Sequence, residues 1–124
     1  AVQLEALIPA AYADFVALPL LDGEVGIGLL NSPMIGRLGF GEMRIRNGEA
    51  TERYYVDGGF VQVADNQVAV LTNRAVPAGE VDRTAAQEQL DASLRQKTAG
   101  VDELAIRDRQ IAQARGQLRV AARV

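Results

Sequence analysis

Two patterns of apolar and polar positions divide the chain. Up to Glu80 the apolar residues come in short alternating runs, broken by glycine, proline, asparagine and aspartate. From Val81 onward they recur at helical spacing within Ala-, Gln- and Arg-rich sequence, interrupted once at Thr98-Ala99-Gly100. Alternation puts successive side chains on opposite faces of a strand, whereas a period near 3.6 lines one face of a helix. The pattern predicts a β module over residues 1–80 and a helical hairpin over residues 81–124.

Within the β module, strands are expected at residues 2–8, closed by Pro9, and at 14–20, where Pro19 indicates an edge or bulge. Asp22-Gly23-Glu24 reads as an acidic turn before a strand at 25–30, and Asn31-Ser32-Pro33 turns again. Short strands follow at 34–38 and 41–46, the second with Met43 and Ile45 inward and Glu42, Arg44 and Arg46 outward. Asn47-Gly48 suits a type I′ hairpin turn, because both residues tolerate positive φ. It should pair 44–46 with 51–56. Asp57-Gly58-Gly59 is expected to end that strand, with further strands at 60–63 and 67–72 around Asp65-Asn66 and a linker at 76–79. Such spacing without intervening helices predicts an antiparallel β-sandwich or flattened barrel, followed by an antiparallel two-helix hairpin.

In the hairpin, Leu104, Ile111 and Leu118 fall seven apart, with Ala105, Ala112 and Ala122 beside them; Ala86, Leu90 and Leu94 form the facing stripe. Asp82 and Asp102 stand at the two helix starts, where carboxylates accept from unpaired backbone donors. Large apolar side chains are few, so the hairpin is expected to lean on the β module and to be able to leave it. Arg115, Arg119 and Arg123 lie four apart, and like charges at that spacing repel by about 0.2 to 0.5 kcal/mol per pair. The row reads equally as a solvated basic face or as a surface that an acidic partner completes.

A length of 124 residues suits one domain with an appendage, and 48% hydrophobic with 23% charged residues is ordinary for a globular chain. The net charge of −3 and the lack of basic clusters with interleaved aromatics argue against nucleic-acid binding. The chain has no cysteine and no histidine, which removes disulfides, thiolate chemistry, common metal sites and His-based acid–base catalysis. No catalytic, metal or cofactor site is therefore expected. Ser32 and Ser93 have no activating base. The pairs Asp22/Glu24 and Glu80/Asp82 read as acidic turns and helix starts, and Gly58-Gly59 does not precede a helix as a phosphate cradle must. No signal peptide is expected from residues 1–10, and no apolar run has the length of a membrane span.

Several runs resemble, in order, the ε subunit of F-type ATP synthases, called δ in mitochondria. They are Asp22-Gly23-Glu24-Val25-Gly26-Ile27, Gly41-Glu42-Met43-Arg44-Ile45, Tyr55-Val56-Asp57-Gly58-Gly59-Phe60-Val61-Gln62-Val63, Val68-Ala69-Val70-Leu71 and Gln117-Leu118-Arg119-Val120. The resemblance implies a non-catalytic rotor subunit of the central stalk that joins the γ subunit to the c ring for proton-coupled ATP synthesis. By analogy Asp22, Gly23 and Glu24 would contact the c ring. The hairpin would extend along γ to the catalytic α and β subunits and inhibit ATP hydrolysis, with Arg107, Arg109, Arg115, Arg119 and Arg123 meeting acidic surface. The implied location is peripheral, on the cytoplasmic face of a bacterial inner membrane or the equivalent organelle face. Some family members bind ATP through an I/L-D-x-x-R-A motif; here Val81-Asp82-Arg83-Thr84-Ala85-Ala86 has Ala85 in place of the arginine, and Gln113 and Gln117 replace arginines of the second helix. These departures argue against ATP sensing and leave Asp82 and Arg83 as the remnant of a nucleotide site. Leu29-Leu30-Asn31-Ser32-Pro33 departs from the family's P-G-H-A/S-P turn, and the hairpin at 9–12 is short. The competing readings are a nucleotide-sensing module and an unrelated β-sandwich adaptor.

Overall fold

The computed structural model describes residues 2–5, 11–13, 15–28, 33–65 and 67–122. Eight strands precede two helices: β1 (Val2–Glu5), β2 (Ala11–Ala13), β3 (Phe15–Leu20), β4 (Gly23–Ile27), β5 (Met34–Asn47), β6 (Ala50–Ala64), β7 (Gln67–Leu71), β8 (Ala75–Pro77), α1 (Arg83–Arg95) and α2 (Val101–Ala122). They form one hydrogen-bonded sheet in the order β2-β1-β7-β6-β5-β3-β4, with β8 also on β6. All pairs are antiparallel except β1 with β7, which run parallel. The β-then-α architecture is the one the hydrophobic pattern predicts.

Two expected breaks are absent. The segments at 34–38 and 41–46 are one strand of 14 residues, and those at 51–56 and 60–63 are one strand of 15. Both bend at the same level, where Leu38 pairs with Gly59 and Phe40 with Asp57. Before the bend in β5 the core position is Leu38; after it the core positions are Met43 and Ile45, on the opposite parity. In β6 the inward set likewise changes from Val56 to Val61 and Val63. The sheet thereby folds over on itself and becomes two layers. Val16, Leu18, Ile27, Val68 and Val70 fill the space between them.

The bend requires Gly59. Its φ is 110°, a value side chains rarely adopt, and a Cβ there would collide with the Leu71 carbonyl oxygen and lie 2.9 Å from Thr72 Cα. The Asp57-Gly58-Gly59 run is a crossing point of two backbones, not a strand end.

The Asn47-Gly48 hairpin turn also differs in detail. Asn47 pairs with Ala50, so the central residues are Gly48 and Glu49, and only Gly48 has positive φ, at 63°. Positive φ at the first central position alone is the requirement of a type II′ turn. The register between 44–46 and 51–56 is nevertheless the expected one. The stretch expected as a linker holds β8 and a single 3-10 turn, Ala78–Glu80. The expected strand residues 6–8, 14 and 29–30, the turn residues Asn31, Ser32 and Asn66, and residues 9 and 10 of the short 9–12 hairpin lie outside the described residues; residues 11 and 12 fall in β2.

Asp82 caps α1 as expected, its Oδ1 accepting from Ala85 N at 2.9 Å. At α2 the capping contact belongs to Glu103, whose carboxylate accepts from Ala99 N at 2.9 Å. The helical seam is the expected one only in part. Ala86 is buried and Leu90, Ile111 and Leu118 are half-buried, but Leu104 and Leu94 remain 42% and 47% exposed, while Ser93, Ala114, Gly116, Val120 and Ala121, outside the expected stripes, are buried. Alpha-helix α2 serves two neighbours at once, α1 and the sheet, and small residues on two sides allow both approaches.

Replacing Gly59 by Ala is expected to destabilise the protein by about 2 kcal/mol or more, from backbone strain and the collision together. Gly79→Ala, where a Cβ meets nothing within 4 Å, serves as the control and should shift the urea midpoint little.

Candidate functional site

The described residues contain no cluster of three metal-ligating side chains, and their polar and aromatic side chains converge instead at the junction where α2 lies on β5 and β6. Bending sends Tyr55 and Phe40 out of the main core. Tyr55 instead forms a second, smaller one with Ala78 and Val120, supported by Phe40, Val76 and Val81. Gly116 is the point of closest approach: a Cβ there would lie 2.6 Å from the Phe40 carbonyl oxygen and 3.1 Å from the Tyr55 ring. Glycine inside a helix costs about 1 kcal/mol relative to alanine, and here it lets the helix backbone sit directly on the sheet.

Around that seat the contacts are polar. The Tyr55 hydroxyl donates to Asp57 Oδ1 at 2.8 Å, and Gln113 Nε2 donates to Asp57 Oδ2 at 3.2 Å. Asp57 N in turn donates to Thr72 Oγ1 at 3.1 Å, and the Arg74 guanidinium lies 5.7 Å from the Tyr55 ring centroid. Burial, and then the bond to Asp57, push the Tyr55 phenol well above its ordinary ionisation range. The hairpin itself is held in the same manner: Gln89 Nε2 donates to Gln110 O at 2.8 Å and Arg107 Nε to Ser93 O at 3.0 Å.

A cavity of about 570 Å³ lies between the hairpin and the sheet. Its ionisable lining is Asp57, Glu80 and Asp82 against one cation, Arg74. Arg83, the other residue of the expected nucleotide remnant, is exposed and does not line it. Gln113 and Gln117 do line it.

The expected arginine face is divided. Arg119 Nη2 donates to Phe40 O at 3.2 Å, the Arg109 guanidinium stands 5.8 Å from the Phe40 ring centroid, and Arg107 ties the two helices. Arg115 is exposed, and Arg123 lies outside the described residues. A spacing of four aligns Cα positions, but a long side chain can bend its head toward a nearby carbonyl. At the other expected site, Asp22, Gly23 and Glu24 are exposed, but the turn itself is Leu21-Asp22, and Gly23, with φ of 136°, and Glu24 already belong to the edge strand β4, paired with Leu20 and Pro19. Glu24 Oε1 accepts from Arg44 Nη2 at 2.8 Å. A small cleft of about 250 Å³ is lined both by Gly23 and Glu24 and by Arg119 and Val120, so the two expected sites are neighbours.

Residues 2–78 match the beta-sandwich domain of the ATP synthase delta/epsilon chain. The ATP synthase epsilon chain of Rhodopirellula baltica is 46% identical over 109 residues, covering 88% of this chain and 85% of that protein. The chain belongs to the ATP synthase delta/epsilon chain family. The epsilon chain of Alkalilimnicola ehrlichii is 31% identical over 127 residues, 99% of this chain and 90% of the relative, so the likeness of this delta/epsilon chain extends through its hairpin. A chain in the cryo-EM structure of Euglena gracilis mitochondrial ATP synthase, OSCP/F1/c-ring in rotational state 1, has the same fold. It superposes with a TM-score of 0.77 over 100% of this chain and 83% of that one, at 19% identity.

What sequence reasoning missed in this delta/epsilon chain is the seat itself: Gly116, Tyr55, Asp57 and Gln113. A lone glycine between Arg115 and Gln117 inside a helical pattern was the available signal for a close backbone approach.

Gly116→Ala should lift α2 from the sheet, read as faster amide exchange along residues 110–122 with little change in the β6 and β7 core. Above pH 10 an unfolded tyrosine ionises while buried Tyr55 stays protonated, so the folded chain then binds more protons and stability falls as pH rises. Urea midpoints measured between pH 8 and 12 should show that decline, and Tyr55→Phe should reduce it while costing about 1 kcal/mol at neutral pH through the lost hydroxyl bond.

Proposed function

We propose that this chain is a non-catalytic rotor subunit of an F-type ATP synthase that joins the γ subunit to the c ring, and that its hairpin restrains ATP hydrolysis when it leaves the sheet. Family membership supports the first part. The observation that carries the second is the character of the α2 seat, a small apolar cluster of Tyr55, Ala78 and Val120 with half-buried Phe40, Val76 and Val81 against it, bordered by polar contacts to groups that water can also satisfy. Such contacts are worth about 0.5 to 1.5 kcal/mol each, so a docked helix held by them can be displaced by a competing partner.

In this reading Asp22, Gly23 and Glu24 face the polar loops of the c ring. Arg115, exposed even in the docked state, meets acidic surface on a catalytic subunit when the hairpin is extended, joined by Arg107, Arg109, Arg119 and Arg123. Arg109 and Arg119 change partners in the process, from Phe40 to that surface. Attachment is peripheral, through the complex; none of the described helices is long and apolar enough to cross a membrane.

The nucleotide-sensing alternative has little support. A triphosphate entering the large cavity would meet three carboxylates and one guanidinium, and charge-assisted bonds to phosphate need the opposite balance. No stabilisation of the isolated chain by millimolar ATP is expected.

The chain should bind a γ subunit with nanomolar-scale affinity, about 12 kcal/mol, and a failure to co-purify with γ would overturn the rotor assignment. Truncation after Gly100 should raise ATP hydrolysis of the assembled complex several-fold without loss of assembly; an unchanged rate would reduce the hairpin to a prop. Arg115→Ala should weaken the restraint more at low salt than at high salt, since exposed charge contacts are screened.

A further inference from the structure

The turn at Asp22–Glu24 and the C-terminal end of α2 are joined by a continuous chain of charged side chains. Glu24 holds Arg44 through both carboxylate oxygens, at 2.8 and 3.3 Å. Arg44 Nη1 also reaches Glu42 Oε1 at 3.1 Å, so one guanidinium spans two carboxylates. Glu42, whose side chain is only 9% exposed, takes Arg53 on its other oxygen, with Nε at 2.8 Å and Nη2 also in contact. Arg53 Nη2 then donates to Val120 O at 3.3 Å. That carbonyl lies in the last turn of α2, where backbone acceptors lack intrahelical partners and the helix dipole favours a cation.

We propose that the chain Glu24–Arg44–Glu42–Arg53 couples the Asp22–Glu24 turn to the docking of α2, so that a cationic group which captures Glu24 loosens the hairpin. The inference rests on the reading above for its physiological meaning, since the turn is there assigned to the c ring, but the coupling is a property of this chain alone. Glu24 is the exposed end of the chain and Glu42 the nearly buried middle. With Glu24 engaged elsewhere, Arg44 keeps only Glu42, and Glu42 must divide itself differently between Arg44 and Arg53. Arg53 is a long side chain whose head is aimed at Val120 O in part by its two contacts with Glu42; weakening that hold shifts the head and weakens the bond at the helix end. Arg44 is held protonated by its bond to Glu24 first and to Glu42 next, so the guanidinium that joins the two carboxylates keeps its charge. Exposed ion pairs contribute little singly, whereas a network with a shared buried member couples its ends.

The test is amide hydrogen exchange of α2 in the isolated full-length chain, without γ or c ring. Glu42→Gln and Arg53→Met should each raise exchange across residues 110–122 several-fold, and Glu24→Gln should raise it about two- to threefold, with β6 and β7 core amides unaffected. The double variant Glu24→Gln/Glu42→Gln should match Glu42→Gln alone, because both act through one path. Wild type in 1 M salt should approach the Glu24→Gln level. Unchanged α2 exchange in Glu24→Gln, or simple additivity in the double variant, would overturn the relay. If Glu42→Gln disturbs the sheet core, the pair Glu24→Gln and Arg53→Met decides by the same criteria. A relay that fails this test leaves the ring assignment of the turn intact, and a turn that proves not to touch the c ring leaves the relay intact.

Discussion

Everything in this fold follows from the crossing of β6 over the Leu71 carbonyl at Gly59. Only a residue without Cβ permits the approach, and only there do β5 and β6 bend together. The bend closes one sheet into two layers around an aliphatic core. It also reverses which residues face outward, so Tyr55 and Phe40 are presented on the surface that receives α2. Hairpin docking is thus a consequence of strand geometry fixed some sixty residues earlier in the chain than Gly116.

The two junctions in the molecule differ in kind. Between the layers, valine, leucine and isoleucine side chains are fully removed from water, at roughly 1.5 to 3 kcal/mol for each large one. Between α2 and the sheet, Val120 and the Tyr55 ring are the main apolar contributions, and amide, carboxylate and guanidinium groups supply the rest. Each of those polar groups exchanges a protein partner for water at little net gain. A body with one strong and one weak junction will open at the weak one first, and local opening free energies well below the global value are the ordinary result of such a contrast.

Legibility in the sequence tracked how local the determining interaction is. The alternation from Gly41 to Arg46 disclosed Met43 and Ile45 as core residues, because each strand residue reports its own face. Gly48 gave the hairpin and its register, although Asn47 took a pairing position and left the turn to Gly48 and Glu49. Gly58-Gly59 looked like a strand end because the Leu71 carbonyl that explains it comes from a different strand. The parallel pairing of β1 with β7 leaves no local mark for the same reason. In α2 the apolar period was only part of a guide: alanines at 105, 112, 114, 121 and 122 lie on several sides, so small residues fit more than one seam, and Gly116, the mark of the true one, was not read. The acidic turn and the arginine positions were visible as residues, but not their proximity to each other, which depends on where α2 lands.

That landing gives Arg119 a second role. In the docked state its guanidinium satisfies the Phe40 carbonyl beside the Gly116 seat, so the same charge that would bind an acidic partner also helps keep the hairpin at home. Extension must therefore replace one acceptor by another instead of creating a contact from nothing. The net gain for Arg119 is the difference between a carbonyl bond and a carboxylate pair, about 1 kcal/mol, where a free arginine would contribute the whole interaction. Arg115, with its side chain in water, carries no such offset. On the proposed reading, extension of the hairpin would trade contacts already made for new ones, so the free energy that drives it would be the difference between the two sets and not the sum of the new contacts.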